Sequence, residues 1–393
     1  MGDDLRRRAS SRRHYREVTP QGVTSASINI ARGDRQFCNS TVYDPGDSMV
    51  IGLIVPSHPG RGDPPGVTRI GVDTVHEMVD TLRRGLVARG HTVVMLDPAS
   101  KRDSSQLLKR CDLIHQHDIW PQAMAPVAGI RFPDVVTAYY HGTQSASGLS
   151  QDVDCEVAGF RHSTWTPANI SLSNAHRRQF TTDSQTGHSI LPGLDLTKYH
   201  FQPKVGDHLV AVGDLAPGSG LDRAIDLACR IGIPIRFAAE LDTPAQRDWF
   251  NEEIRPILGP WAEYIGPADS EARLKLLADA CAYINVGWRQ APIDYCAIEA
   301  MACGVPVLCT DSGAWSEVIE PGVTGHAVRT TGDLIRATND IGRFNRRRCR
   351  QRAEDLFSMS RSAFDHEQVY RQILDSAWAQ TSSRLHAMAK PPI

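Results

Sequence analysis

Glu299 is the only carboxylate in the apolar helical run Ile298-Glu299-Ala300-Met301-Ala302-Cys303. A lone acid among such residues is costly to bury unless something pairs with it. Gly304 closes the helix and the strand Val305–Cys309 follows at once, so the acid falls near a strand–loop edge, where α/β proteins bind their ligands. A carboxylate there can accept hydrogen bonds from two hydroxyls. Its blander role is a core acid tied to a backbone N–H. His141 ends an apolar strand just before Gly142. A neutral imidazole in that position can bond a hydroxyl or assist proton transfer near neutral pH, or it can simply cap the strand. His115 and His117 alternate along one strand and so share a face. No third group has metal-ligand spacing beside them, so structural histidines are expected and no metal.

A second group of residues suits an anion. Pro217-Gly218-Ser219-Gly220 leads into a helix starting near Leu221. Backbone N–H groups at a helix start bind phosphate, and Ser219 can cap the helix or donate its hydroxyl. Arg223 lies one turn into that helix, and Arg289 stands in the loop Gly287-Trp288-Arg289-Gln290-Ala291-Pro292. Each is a candidate cation or a solvated surface charge. No Ser/His/Asp set and no paired carboxylates are present to do hydrolytic chemistry.

The elements that must hold these residues alternate strand and helix from Met49 onward, which calls for parallel sheets. In the first half the expected strands are Met49–Pro56, His91–Leu96, 111–117, 134–140 and 168–173, with an amphipathic helix through Val75, Met78, Leu82 and Leu86. A Pro/Gly-rich connection follows at 188–208. The second series has strands at 208–213, 233–239, 262–266, 281–286 and 305–309, with helices between them and a helical tail from Gly332 to Trp378 turning near Ser358. The domain reading is a disordered tail over 1–48, a first Rossmann-like domain over 49–192, a linker over 193–207, a second Rossmann-like domain over 208–359 and a C-terminal helix and tail over 360–393. The tail has no periodicity and is too polar to build a core, and Met49 is a plausible true translation start.

Composition narrows the class. A length of 393 residues suits two domains, and a net charge of −2 gives no reason to expect a nucleic-acid partner. Nine scattered cysteines without a C-x-x-C pair, no secretory signal and no run long enough to span a membrane together point to a reducing cytoplasm. Only six of the 43 basic residues are lysine, a bias read as codon usage in a GC-rich bacterial genome.

The segment Ile298–Gly304 with Val305-Pro306-Val307, followed by Ser312-Gly313-Ala314-Trp315-Ser316-Glu317-Val318-Ile319, resembles the donor-site segment of retaining glycosyltransferases of family 4. Weaker likenesses keep the family's order from about Met49 to about Leu374, at 85–100, 111–118, 135–142, 191–195 and 206–228. The resemblance implies a GT-B fold, α/β with two Rossmann-like parallel-sheet domains facing a cleft. It implies transfer of a sugar, with retention, from a UDP- or GDP-linked donor to a small-molecule acceptor, with no cofactor besides that co-substrate. It places His141 beside the reacting sugar and Glu299 on the ribose hydroxyls. The donor site would include Gly213, Asp214, Ser219, Arg223, Arg289, Asp294 and Gly313.

The same resemblance exposes departures. Asp214 stands where the family has an arginine, Ser219 where it has a lysine and Ala291 where it has the first of two glutamates. A charge pair at about 4 Å is worth roughly 4 kcal/mol at an effective dielectric near 20, so the loss of two cations should cost much diphosphate affinity. Asp294 can replace the missing acid or merely stabilise a helix start, and Trp315 narrows the sugar pocket. The expected function is a glycosyltransferase, with bacterial specialised (antibiotic) metabolism as a setting. The alternatives are an enzyme of this fold with an altered donor, or a non-catalytic binding partner. A homo-oligomer is left open.

Overall fold

The computed structural model describes residues 17–19, 22–23, 48–55, 67–69, 72–96, 110–118, 134–138, 140–142, 168–180, 187–287 and 292–388. Among the described residues the first half holds ten strands: β1 (Glu17–Thr19), β2 (Gly22–Val23), β3 (Val50–Ile54), β4 (Val67–Arg69), β5 (Thr92–Leu96), β6 (Leu113–Asp118), β7 (Asp134–Ala138), β8 (Tyr140–Gly142), β9 (Ala168–Ser171) and β10 (Gly187–Ser189). Eight of them form a sheet in the order β10-β9-β7-β6-β3-β5-β1-β2, and β4 pairs with β8 apart from it. The pairs from β10 through to β5 are parallel. The strand Val50–Ile54 is almost continuously buried, as a parallel strand covered on both faces must be. The helix Val72–Ala88 covers one face with Val75, Met78, Val79, Leu82 and Leu86.

The second half holds β11 (Leu209–Val212), β12 (Ile235–Ala238), β13 (Ala262–Gly266), β14 (Ala282–Asn285), β15 (Val307–Thr310) and β16 (Gly325–Val328), ordered β13-β12-β11-β14-β15-β16 and parallel throughout. Its helices include Leu221–Ile231, Ser270–Ala278 and Tyr295–Ala302. Two Rossmann-like units are therefore present, as the alternation required.

One expectation fails in the tail. Residues Glu17–Thr19 and Gly22–Val23 are strands, and Val18 pairs antiparallel with Val93 at the sheet edge. The sequence has β-branched residues on either side of Pro20-Gln21, a hairpin pattern. The rest of the stretch before Ser48 lies outside the described residues.

The chain crosses between the two units twice, and the crossings touch. Leu194 N–H donates to the Phe357 carbonyl at 2.6 Å, and Met359 N–H donates to the Leu194 carbonyl at 3.0 Å. After Ser358 the helix Met359–Met388 lies back on the first domain. A Cβ on Gly85 would stand 2.7 Å from the Ala363 Cβ, so the two helices meet at near-backbone distance there. Glu367 accepts from Arg89 and from Arg371, and Tyr370 hydroxyl bonds His115 Nδ1 at 2.7 Å. His115, His117 and His366 form one buried group, with His115 and His117 ring centres 4.0 Å apart. The structural reading of the strand histidines matches this placement.

The arginine bias has a use that composition did not reveal. Arg346, buried, donates to the carbonyls of Gln202 at 2.7 Å and Ala280 at 3.1 Å. Arg350 donates to those of Tyr199 and Ala302, both at 2.8 Å. A guanidinium has five N–H donors in a fixed fork, and lysine cannot satisfy several carbonyls in this way. These side chains fasten the helix Arg346–Phe357 to the linker and to the ends of neighbouring helices.

Candidate functional site

The C-terminal ends of β11, β14 and β15 bring the second-domain candidates together, as expected for a doubly wound sheet. At the end of β11, Gly213 and Asp214 are exposed, and a Cβ on Gly213 would meet nothing within 4 Å. The turn that follows needs glycine. Gly218 and Gly220 have φ of +85° and +86°, and a Cβ on Gly220 would lie 2.3 Å from Gly287 N. Backbone thus packs on backbone, between the start of the helix Leu221–Ile231 and the end of β14. Gly220 is the N-cap and offers no side chain to the helix. Ser219 Oγ is buried without a hydrogen-bond partner, so this hydroxyl does not cap the helix. An unbonded hydroxyl at a helix start fits an anion or hydroxyl ligand.

Arg223 donates to the Val286 carbonyl, so its guanidinium is bound to the facing strand end and is not a solvated surface charge. Asp222 Oδ1, in the same first turn, is buried without a hydrogen bond. Arg289 and Ala291 lie outside the described residues. His141 is placed only by its backbone, on β8 opposite Thr68 of β4.

Asp294 is the N-cap of the helix Tyr295–Ala302 and accepts from Ala297 N–H at 3.1 Å. Its other oxygen accepts from Tyr283 hydroxyl at 2.8 Å and Asn285 Nδ2 at 2.6 Å. Burial raises its pKa, against the pull of Asn285 and Tyr283. The capping role anticipated from sequence is present, and the same residue lines a pocket with Asn285, Ile293, Ile298, Ser312 and Trp315. Gly313, at φ +66°, lies in the loop beside it.

Glu299 is 1% exposed, on the second turn of that helix. Its partner is Arg273 of the helix Ser270–Ala278. Arg273 Nε donates to Oε2 at 2.9 Å and Nη2 to Oε1 at 3.0 Å, while Tyr199 hydroxyl donates to Oε1 at 3.1 Å. Burial raises the Glu299 pKa, and Arg273 opposes that rise. Burial also works to lower the Arg273 pKa, and the hydrogen bond and charge of Glu299 override it upward. Arg273 Nη2 also stands 3.6 Å from Glu77 of the first-domain helix, which in turn holds Lys198 at 3.0 Å. Sequence reasoning demanded a partner for Glu299 and did not find Arg273, Tyr199 or Glu77.

The two domains meet again beyond the pocket. Glu317 accepts from Asn174 N–H at 2.9 Å, Asn174 Nδ2 at 3.0 Å and Ala175 N–H at 2.8 Å, closing the start of the helix Asn174–Phe180. Ser173 hydroxyl donates to the Pro292 carbonyl at 3.0 Å.

Residues 208–342, which contain nearly all of this geometry, match the family Glycosyl transferases group 1. The matched residues lie within the second domain. Glycogen synthase of Mycobacterium tuberculosis is 24% identical over 313 residues, 72% of this chain and 74% of that protein. Among solved structures, AviGT4, a glycosyltransferase involved in avilamycin A biosynthesis, superposes with a TM-score of 0.60 at 22% identity, covering 83% of this chain and 98% of that one. Sucrose-phosphate synthase from Thermosynechococcus elongatus gives 0.61 at 18% identity, with 84% and 100% covered. Anabaena HepE, solved with UDP and glucose, gives 0.58 at 15% identity, with 82% and 99% covered. The fold is GT-B. No helix among the described residues is long and apolar enough to cross a membrane.

Proposed function

We propose that this protein transfers a sugar from a UDP- or GDP-linked donor to a small-molecule acceptor, with retention at the anomeric carbon. The observation that carries the reading is the glycine turn Gly218–Gly220 at the mouth of the group 1 domain. There the buried, unbonded Ser219 hydroxyl stands at a helix start that no side chain caps, and a Cβ on Gly213, at the end of the preceding strand, would meet nothing within 4 Å. A donor diphosphate there would be held by backbone N–H groups and the Ser219 hydroxyl rather than by a basic pair. Asp214 and Asp222 add negative charge, so the clamp is weaker than a cationic one. The transferred sugar would enter the pocket floored by Asp294 and Asn285 and walled by Trp315. Glu299 would meet the ribose, and His141 the reacting sugar. In a retaining transfer of this kind the donor phosphate itself helps deprotonate the acceptor, so the protein needs no strong base. The similarity to AviGT4 supports a role in specialised metabolism.

Calorimetry with UDP, GDP and their glucose and mannose conjugates tests the reading. It stands on binding that Ser219→Asp abolishes, and it falls if no nucleotide or nucleotide sugar binds. Turnover with a bound donor and proton NMR of the product's anomeric coupling then decide retention. A second reading, a catalytically silent partner, draws on the missing cations. Donor binding without any hydrolysis or transfer would favour it.

A further inference from the structure

The carboxylate assigned to the ribose is already occupied. Glu299 is sealed from solvent, and both its oxygens are taken by the Arg273 fork, with Tyr199 as a third donor. A guanidinium edge and a ribose cis-diol present the same thing to a carboxylate, two parallel hydrogen-bond donors. They compete for one acceptor. Arg273 has a second carboxylate in reach, because Nη2 lies 3.6 Å from Glu77 Oε2, against about 2.8 Å for a charge-assisted hydrogen bond. A shift of roughly an ångström therefore converts the Glu77 contact into a direct pair. The side chains of Arg273 and Glu77 are 15% and 19% exposed, so the solvent side of the cluster is where Arg273 and Glu77 lie.

We propose that Arg273 and Glu77 are positioning residues for the nucleoside. Arg273 holds the Glu299 carboxylate and passes to Glu77 when a ribose diol takes its place. The inference rests on the nucleotide-sugar reading above. Its consequence goes beyond that reading. Arg273 and Glu299 belong to the second domain and Glu77 to the first, so filling the ribose site trades a bond within one domain for a bond between two. Nucleoside binding and the approach of the domains become one event, with the differential contact that such coupling needs.

Glu77→Gln removes the receiving carboxylate without touching Glu299. Titration calorimetry with UDP and GDP should show affinity reduced about tenfold, the loss of one charge-assisted hydrogen bond. Lys198→Gln breaks the other ion pair of Glu77 and leaves Arg273 alone, so it should stay within about twofold of the parent. Glu77→Asp should recover part of the loss and serves also if the glutamine variant folds poorly. Equal affinity in the parent and in Glu77→Gln would overturn the exchange while leaving the nucleotide-sugar reading intact. Failure of the parent to bind any nucleotide would overturn both. A nucleotide-bound crystal structure with Arg273 still forked on Glu299 would overturn the exchange outright.

Discussion

Mild acid should destabilise this protein through the buried histidines of its first domain. His117 is held down to about 3 and His366 to about 4, from an ordinary 6.5, chiefly because burial penalises the charged ring. His115 is shifted the same way, by burial and by His117. Folded values below the unfolded value mean that the unfolded chain binds more protons between them. The stabilisation is complete above about pH 6.5 and is lost as pH falls toward 4 and 3. At pH 5, about 1.5 units below the unfolded value, each ring costs roughly 2 kcal/mol at 1.36 kcal/mol per unit. His117 and His366 together then remove roughly 4 kcal/mol, a large share of the 5–15 kcal/mol typical of a domain. The rings are neighbours, so the figure belongs to the cluster rather than to either residue. Acids elsewhere modulate the effect. Glu367, held at about 2, contributes fully down to about pH 4.5. Asp294 and Glu299, raised by burial, work in the opposite direction and reduce the slope. Urea unfolding at pH 7.5, 6.5, 5.5 and 5.0 should show the midpoint falling steadily below pH 6.5. His366→Gln keeps a donor for the Ser362 carbonyl, which His366 Nδ1 contacts at 2.8 Å, and should remove about half of the slope. A midpoint unchanged between pH 6.5 and pH 5 would refute the reasoning.

Three further outcomes follow from contacts described above. Gly220→Ala forces a Cβ against Gly287 N at positive φ, and should lower the melting temperature and abolish nucleotide binding, read by calorimetry. Glu317→Ala frees the N–H groups of Asn174 and Ala175 and should cost about 1–2 kcal/mol, as loss of a helix cap does, measured by chemical unfolding. Arg346→Met leaves the carbonyls of Gln202 and Ala280 unbonded and should cost roughly 2–4 kcal/mol, whereas the exposed Arg329→Met should change stability by less than about 0.5 kcal/mol.

Local sequence carried the fold a long way. The strand Ala262–Gly266 has the bounds its alternation suggested, and the helix Tyr295–Ala302 begins after its Asp294 cap and ends before Gly304. These elements are set by neighbours along the chain. The missed strands are short and lack that signal. Gly325–Val328 begins with a glycine at φ +151°, needed because a Cβ would strike the Val307 carbonyl. Gly187–Ser189 sits at the start of a stretch read as connection. In the site, periodicity and motif marked Glu299 and the glycine turn, and burial cost required that Glu299 be paired. The identity of the partner depends on which helices share a sheet edge, so Arg273, 26 residues away, was not legible. Glu317 and Asn174, 143 residues apart, were still less so.

The helix Met359–Met388 gives the molecule an order of assembly. It belongs to the first domain by contact, through Ala363 on Gly85, Glu367 on Arg89 and Tyr370 on His115, yet it is synthesised after the whole of the second. During translation the first sheet emerges with that flank of its core uncovered and the His115 ring without its tyrosine. The first domain can begin to fold early, and it finishes only after the second has left the ribosome.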